Sequence, residues 1–567
     1  MNDAKIIKNL LDHYQNGRYD EAEKLALLFT QEFPKHQFGW KVLGSIFGQT
    51  GRKPESLKAN LKAAQLAPKD IEIHNNLGIT LQELGRFKEA EESYRQAIVL
   101  KADFAEAHYN LGILLKELSR FKEAEASYRQ AIALKTNYTE AYNNLGITLQ
   151  ELGRFKEAEE SYRQAITLKA DFSDAYLNLC ILLERNNNLD DALIAIKEAK
   201  EIVNDDNTDF LFYEALVLFR QEDYEHIEKL IAKINIDKLN EERKIDFLKL
   251  KADWDHYKKN FDIAFETYKV INDLVKDTDE YKKQQAEKFF NEQKKISFQV
   301  ESLQKKSLYK KTVQATWLQP TFIVGFPRSG TTLLDTILRS HSKIDVMEEK
   351  LMIPEMRKKL GFLNVSEIEK INTTAARIAS NFYFEELKKH IVIDKNSIII
   401  DKLPLNILEL PLINKIFPQA KFILALRHPL DCILSCWMQN FKMNPAMANM
   451  VNLDRIVDFY CTAMEILSLS QKRYALNIYQ IRYEDLVNNF EKEILGILTF
   501  LDLKWEDGLK NYQKTAIARG KINTPSYSQV VKPIYNTASY RWKNYEKYLS
   551  TFKKKLDPWL NEYKYLS

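Results

Sequence analysis

TFIVGFPRSGTT, residues 321–332, decides how the second half of this chain folds. Its first five residues form a short apolar run of the kind found in buried parallel strands. A glycine loop follows, and LLDTILRSH (333–341) continues at helical spacing. Strand, glycine loop and helix are the context that a phosphate-binding loop of the form G-x-x-x-x-G-K-[ST] requires. Gly325 and Gly330 hold the glycine positions, but Thr331 stands where the lysine belongs. The glycines let backbone N–H groups turn inward, and the helix N-terminus adds its positive end. Arg328 places a fixed charge inside the loop, and Thr331 and Thr332 offer hydroxyl donors.

Outward from this stretch the pattern repeats. Apolar runs recur at 397–400, 421–426 and 477–481, with helical stretches between them. That alternation predicts a parallel sheet with ligands at the carboxyl ends of its strands. ALRHPLDCILSCW (425–437) is a second anion element: Arg427 ends a strand, Pro429 suits the first helical turn, and Ser435 lies about two turns on. Two phosphate sites without a loop lysine suggest a nucleotide phosphorylated at two places.

Ahead of the sheet lies a repeat array. Residues 75–98 and 143–166 are identical, NNLGITLQELGRFKEAEESYRQAI, with a close variant at 109–132. Leu43, Leu77, Leu111, Leu145 and Leu179 recur every 34 residues; so do Gly17, Gly51, Gly85 and Gly153, with Ser119 filling the missing step. This period predicts stacked helical hairpins. Asn76, Asn110, Asn144 and Asn178 share one repeat position. Each offers a donor and an acceptor, so a ladder of them suits an extended peptide backbone; bonding between neighbouring turns is the structural alternative.

Composition bounds the rest. The chain has 567 residues, 45% hydrophobic, with a net charge of +4, so several domains are expected and no general nucleic-acid surface. Four cysteines make no disulfide framework, and Cys432 and Cys436 read as small buried residues on one helix face. Neither a zinc spacing nor a window of about 18 apolar residues occurs, so no metal and no membrane span are expected. The N-terminus does not read as a signal peptide, and a cytoplasmic location is expected.

Residues 3–206 resemble the tetratricopeptide repeat family, as six units. FPRSGTTLL, LALRHPLDCILSCW and SYSQVVKPIYNTASYRW resemble the sulfotransferase superfamily over about residues 318–550, most of all the tyrosylprotein sulfotransferases. The expected architecture is multidomain: an all-α repeat solenoid at 1–206, degenerate helical repeats and a linker at 207–312, and an α/β P-loop-like sulfotransferase domain with a central parallel sheet at 313–567. The resemblance implies 3′-phosphoadenosine 5′-phosphosulfate (PAPS) as donor. Arg328, Ser329, Gly330, Thr331 and Thr332 would cradle its phosphosulfate, and Arg427 and Ser435 its 3′-phosphate. Tyr483, Ser526 and Arg541 match further donor contacts; the tyrosylprotein enzymes carry lysine at the last position. By the same resemblance Glu349 is the catalytic base, with Glu348 as its neighbour and alternative. Lys402 and Arg328 would stabilise the leaving phosphate. His341 and His428 match no family base and read as structural.

The acceptor is expected to be a hydroxyl, such as a protein tyrosine delivered by the repeats, or a glycan or small molecule. Two other classes compete. SIIID (397–401) imitates the strand-ending aspartate of a P-loop kinase or ATPase. A repeat scaffold with an inactive transferase domain is the third.

Overall fold

The computed structural model describes residues 3–203, 207–304, 315–361, 364–394, 396–518, 530–534 and 538–565. It divides into two compact units, Met1–Val217 and Leu218–Ser567. The stretch 207–312 is therefore shared between them.

The first unit is a series of helical hairpins. Ile71–Glu83 and Phe87–Leu100 form one; Ala105–Glu117 with Phe121–Leu134 and Thr139–Glu151 with Phe155–Leu168 form the next two. Each hairpin closes on one close approach. A Cβ on Gly78 would lie 2.5 Å from the Tyr94 ring, and Gly146 meets Tyr162 in the same way at 2.5 Å. The tyrosines are fully buried, and Tyr94 and Tyr162 donate to Gln82 and Gln150 at 3.0 and 2.8 Å. Between helices the chain turns through a left-handed residue. Gly85 has φ 72°, and Ser119 takes the same conformation at 58°. Asn187, Glu222 and Lys259 do so as well, which extends the hairpin pattern into the second unit.

The second unit is built on a five-stranded parallel sheet. Its strands are β1 (Thr321–Gly325), β2 (Ile344–Glu348), β3 (Ile398–Lys402), β4 (Lys421–Leu426) and β5 (Asn477–Arg482), in the order β2-β3-β1-β4-β5. Side chains alternate between two cores. Phe322, Val324 and Leu424 face the larger one, and Ile323, Ile400 and Ile423 face the smaller one with Leu334 and Ile337 of helix Thr331–Leu338. After β1 the chain runs to one side of the sheet and after β4 to the other. A ligand crevice is expected outside such a switch point, between the ends of β1 and β4.

Residues 207–300 are largely helical, as read from the sequence. The polar run at 282–295 does more than lead into the sheet. It lies mostly in helix Ala286–Gln304, whose Phe290 and Val300 are buried and whose Ser297 donates to Glu465 at 2.7 Å. The hairpin Glu241–Tyr257 and Phe261–Asp277 also joins the larger core through Phe265 and Tyr268. Among the described residues no helix is long and apolar enough to cross a membrane.

Candidate active site at the carboxyl ends of the sheet

The loop after β1 turns sharply. Arg328 has φ 69° and Gly330 φ 97°. Both glycines are required by space. A Cβ on Gly325 would lie 2.6 Å from the Ala425 carbonyl, and one on Gly330 would lie 2.8 Å from the Tyr483 ring. Helix Thr331–Leu338 starts with no side-chain cap on its N-terminus. The Ser329 hydroxyl is buried with no hydrogen-bond partner among the described residues.

Arg427 leaves β4 beside this loop. It donates to the Arg328 carbonyl at 3.2 Å and to the Ala538 carbonyl at 2.6 Å, and its guanidinium lies 5.0 Å over the Tyr483 ring. Its Nε is buried without a partner among the described residues. Ser435, on helix Pro429–Trp437, accepts from Arg328 Nε at 3.0 Å. The two anion elements therefore meet, with Ser435 bonded to the first arginine and not to the second. The buried orphan donors on Ser329 and Arg427 suit an anionic group.

Around the second corner, Asp431 accepts from the Tyr540 and Trp542 backbones at 2.7 and 2.8 Å. Burial pushes its carboxyl up to about 6. His428 stacks on Trp542 at 5.0 Å, and burial, aided by Lys543 and Lys553, holds it down to about 4. His341 bonds the Lys504 carbonyl at 2.9 Å and is nearly enclosed. Both histidines have structural partners. Arg541, between Tyr540 and Trp542 in the chain, has Asp253, Tyr268 and Tyr545 around it, and its Nε is buried without a hydrogen-bond partner among the described residues. Ser526 lies outside the described residues.

The third part lies where β2 and β3 end together. Glu348 pairs in register with Lys402, and the Glu349 N–H donates to the Lys402 carbonyl at 2.8 Å. Glu349 has φ 47°, an uncommon conformation for a residue with a side chain. Lys402 Nζ lies 2.8 Å from Glu349, 3.3 Å from Glu348 and 3.9 Å from Asp335. Asp335 belongs to helix Thr331–Leu338 and accepts from Arg339 at 2.9 and 3.1 Å. Sequence reasoning missed Asp335. Its only signal was an arginine four residues on, one helical turn past the threonine pair.

Asp401 does not join this group. It is one residue from Lys402 and therefore faces the other side of the sheet. There it accepts from Tyr383 at 2.8 Å and Asn406 at 3.3 Å, and burial raises its carboxyl to about 7. Among the described residues no group of three or more His, Cys, Asp or Glu side chains is arranged to hold a metal ion.

Residues 320–507 match the family model described as "Sulfotransferase family". Residues 103–171 and 143–207 match tetratricopeptide repeat models, and 80–119 match a further repeat model of this kind. The chain joins a tetratricopeptide-repeat region to a distant sulfotransferase-family domain. An uncharacterised protein of Aquifex aeolicus is 30% identical over 54% of this chain and 41% of its own length. Protein-tyrosine sulfotransferase 1 of Danio rerio is 27% identical over 39% of this chain and 64% of its own. The Homo sapiens protein of that name is 26% identical over 39% and 62%. The chain spans less than two thirds of each of these three relatives. Among solved structures, a crystal structure of MamA is 30% identical over 28% of this chain and 93% of its own, with a TM-score of 0.27.

In the repeat region the asparagine ladder is bonded from repeat to repeat. Asn110 donates to Asn75 at 2.9 Å, Asn178 to Asn143 at 3.0 Å and Asn144 to Tyr109 at 3.0 Å. Asn76 reaches Ser45 at 3.5 Å, at the limit of a hydrogen bond. All four stay half-buried, and Asn144 also accepts from Lys116 at 2.8 Å. One amide donor serves each cross-repeat bond. A second donor remains on every rung.

Proposed function

We propose that the second unit moves a sulfuryl group from PAPS to a hydroxyl acceptor, and that the repeats recruit the protein or peptide carrying it. The observation that carries this reading is the convergence of Arg328, Arg427, the orphan Ser329 hydroxyl and the Glu349–Lys402 pair at the strand ends of one sheet. Bound there, the donor supplies the sulfuryl group and a phosphate as leaving group. Ser329, Gly330, Thr331 and Thr332 hold the phosphosulfate end at a helix N-terminus. Arg427 serves the 3′-phosphate through its free Nε, and Tyr483 borders the same corner. Ser435 acts through Arg328, to which it is bonded.

Glu349 takes the acceptor's hydroxyl proton. The acceptor oxygen forms its bond to sulfur as the bond from sulfur to the phosphate oxygen breaks. Charge builds on that phosphate, and Arg328 and Lys402 neutralise it. Arg541, whose Nε is likewise buried without a partner among the described residues, is a further donor contact in this reading. A tyrosine on an extended peptide is the acceptor favoured by the remaining donors of the asparagine ladder. A kinase or ATPase reading lacks the loop lysine at Thr331, and Asp401 faces away from the loop helix.

Titration with adenosine 3′,5′-bisphosphate and transfer from sulfur-labelled donor into a peptide mixture test this reading. Saturable binding and labelled peptide hydroxyls are expected. Magnesium–ATP hydrolysis without bisphosphate affinity would overturn it.

A further inference from the structure

The proposed site contains a conflict of charge. Lys402 is to reach a leaving phosphate and Glu349 is to accept a proton, yet they are hydrogen-bonded to each other at 2.8 Å. An ammonium has three N–H donors. Glu349 and Glu348 take two, and Asp335 adds a third carboxylate at 3.9 Å. Surrounded in this way, Lys402 has little positive charge to offer a phosphate.

Exposure separates the three carboxylates. The side chains of Asp335 and Glu348 are 0% and 5% exposed, whereas that of Glu349 is 31% exposed. Asp335 is also held from its other side by Arg339. Glu348 is the last residue of β2. Glu349 lies one residue beyond the strand and has solvent to move into. Of the three, it is the one that can leave.

We propose that a phosphate oxygen of the donor replaces the Glu349 carboxylate on Lys402, and that this exchange releases Glu349 to act as base. The inference rests on the sulfuryl-transfer reading. Asp335 and Glu348 stay in place and keep the lysine head at the ends of β2 and β3. The exchange imposes an order. While Glu349 Oε1 accepts from Lys402, the carboxylate is tied to the lysine and cannot turn fully to the acceptor. Donor binding releases the carboxylate from Lys402, so the acceptor hydroxyl is activated only with a sulfuryl group in reach.

Adenosine 3′,5′-bisphosphate, which carries the leaving phosphate, is the probe. It is titrated into the full chain, Glu349→Gln, Lys402→Ala and the double variant. If Glu349 competes with phosphate for Lys402, Glu349→Gln binds about fivefold to tenfold tighter than the parent. In the Lys402→Ala background the same change has an effect of less than about twofold. Equal or weaker binding by Glu349→Gln overturns the exchange. So does tightening that survives loss of Lys402, because simple repulsion between Glu349 and phosphate needs no lysine. Glu349→Ser repeats the test with a side chain that cannot bond Lys402 at that length. If the parent chain shows no saturable binding, the sulfuryl-donor reading itself falls and takes the exchange with it.

Discussion

Left-handed backbone serves different purposes in the two halves of this protein. In the repeats it reverses the chain. Gly17, Gly51, Gly85 and Gly153 adopt it with nothing within 4 Å of where a Cβ would sit, and Ser119 and Asn187 fill equivalent places. At the sheet it aims charge. Arg328 and Glu349 carry the side chains of the proposed chemistry at φ 69° and 47°, and Gly330 is confined by Tyr483. A turn open to solvent tolerates exchange of its residue. A strained residue that points a functional group does not, and the strain is maintained by the strands around it.

The largest effect expected is therefore at Glu349. Glu349→Ala should reduce sulfuryl transfer by about 10²- to 10⁴-fold, the usual worth of a general base. Binding of adenosine 3′,5′-bisphosphate should persist. Turnover from sulfur-labelled donor, set beside calorimetric titration, reads both. Near-normal turnover would move the base to Glu348.

One carboxylate of the array and one at the sheet are shifted in opposite directions, and pH should separate them. In the array, Glu91 is held below its ordinary range by its hydrogen bond to Arg120, with Arg95 beside it. Its contribution is present at neutral pH and is lost as pH falls below the usual carboxylate value. At the sheet, Asp401 is raised from 3.8 to about 7 by burial, despite bonds from Tyr383 and Asn406. Its contribution is complete below pH 3.8 and is lost as pH rises through about 7. Unfolding free energy of the parent minus that of Asp401→Asn should thus fall between pH 4 and 8, by roughly 4 kcal/mol at most. His428 and His256, held down to about 4 and about 3 chiefly by burial, slope the other way. Both proteins share those slopes, so the difference removes them. A difference that stays flat across this range would show Asp401 to be ionised as freely as an exposed acid.

Much of this could be read in the sequence because each reading used neighbours along the chain. The 34-residue period, the strand–loop–helix stretch and the apolar runs of β3, β4 and β5 are local patterns. Glu349 and Lys402 were named, in separate roles, only through family resemblance. What was missed depends on the order of strands in space. Asp335 meets Lys402 because β3 lies between β1 and β2, which no spacing reveals. The bond from Arg328 to Ser435 joins the two anion elements, which their separation of about a hundred residues did not reveal. The run at 282–295 looked polar because its helix buries one narrow stripe.

Packing against a glycine should matter more than turning at one. Gly146→Ala places a methyl group 2.5 Å from the ring of Tyr162, which is fully buried and bonded to Gln150. The ring must move or the hairpin must open, at about 2 kcal/mol after the gain in helix propensity is set against the overpacking. Chemical denaturation of the repeat unit's helical signal should show the loss. Gly330→Ala meets a ring at similar range but also has φ 97°, so it should cost bisphosphate binding as well as stability.

The smallest effects test whether the repeat turns are as tolerant as they look. Gly85 has φ 72° with open space around it, so Gly85→Ala should cost about 1 kcal/mol from backbone conformation alone. Ser119 already bears that cost at φ 58°. Ser119→Gly removes the Cβ but adds freedom to the unfolded chain, and the two terms oppose each other. A shift within about 0.5 kcal/mol is expected, toward stability if the steric term is the larger. Neither change should alter bisphosphate binding in the sheet unit. A loss of binding in Gly85→Ala would mean that the turns do more than reverse the chain, and the contrast with Arg328 and Glu349 would no longer hold.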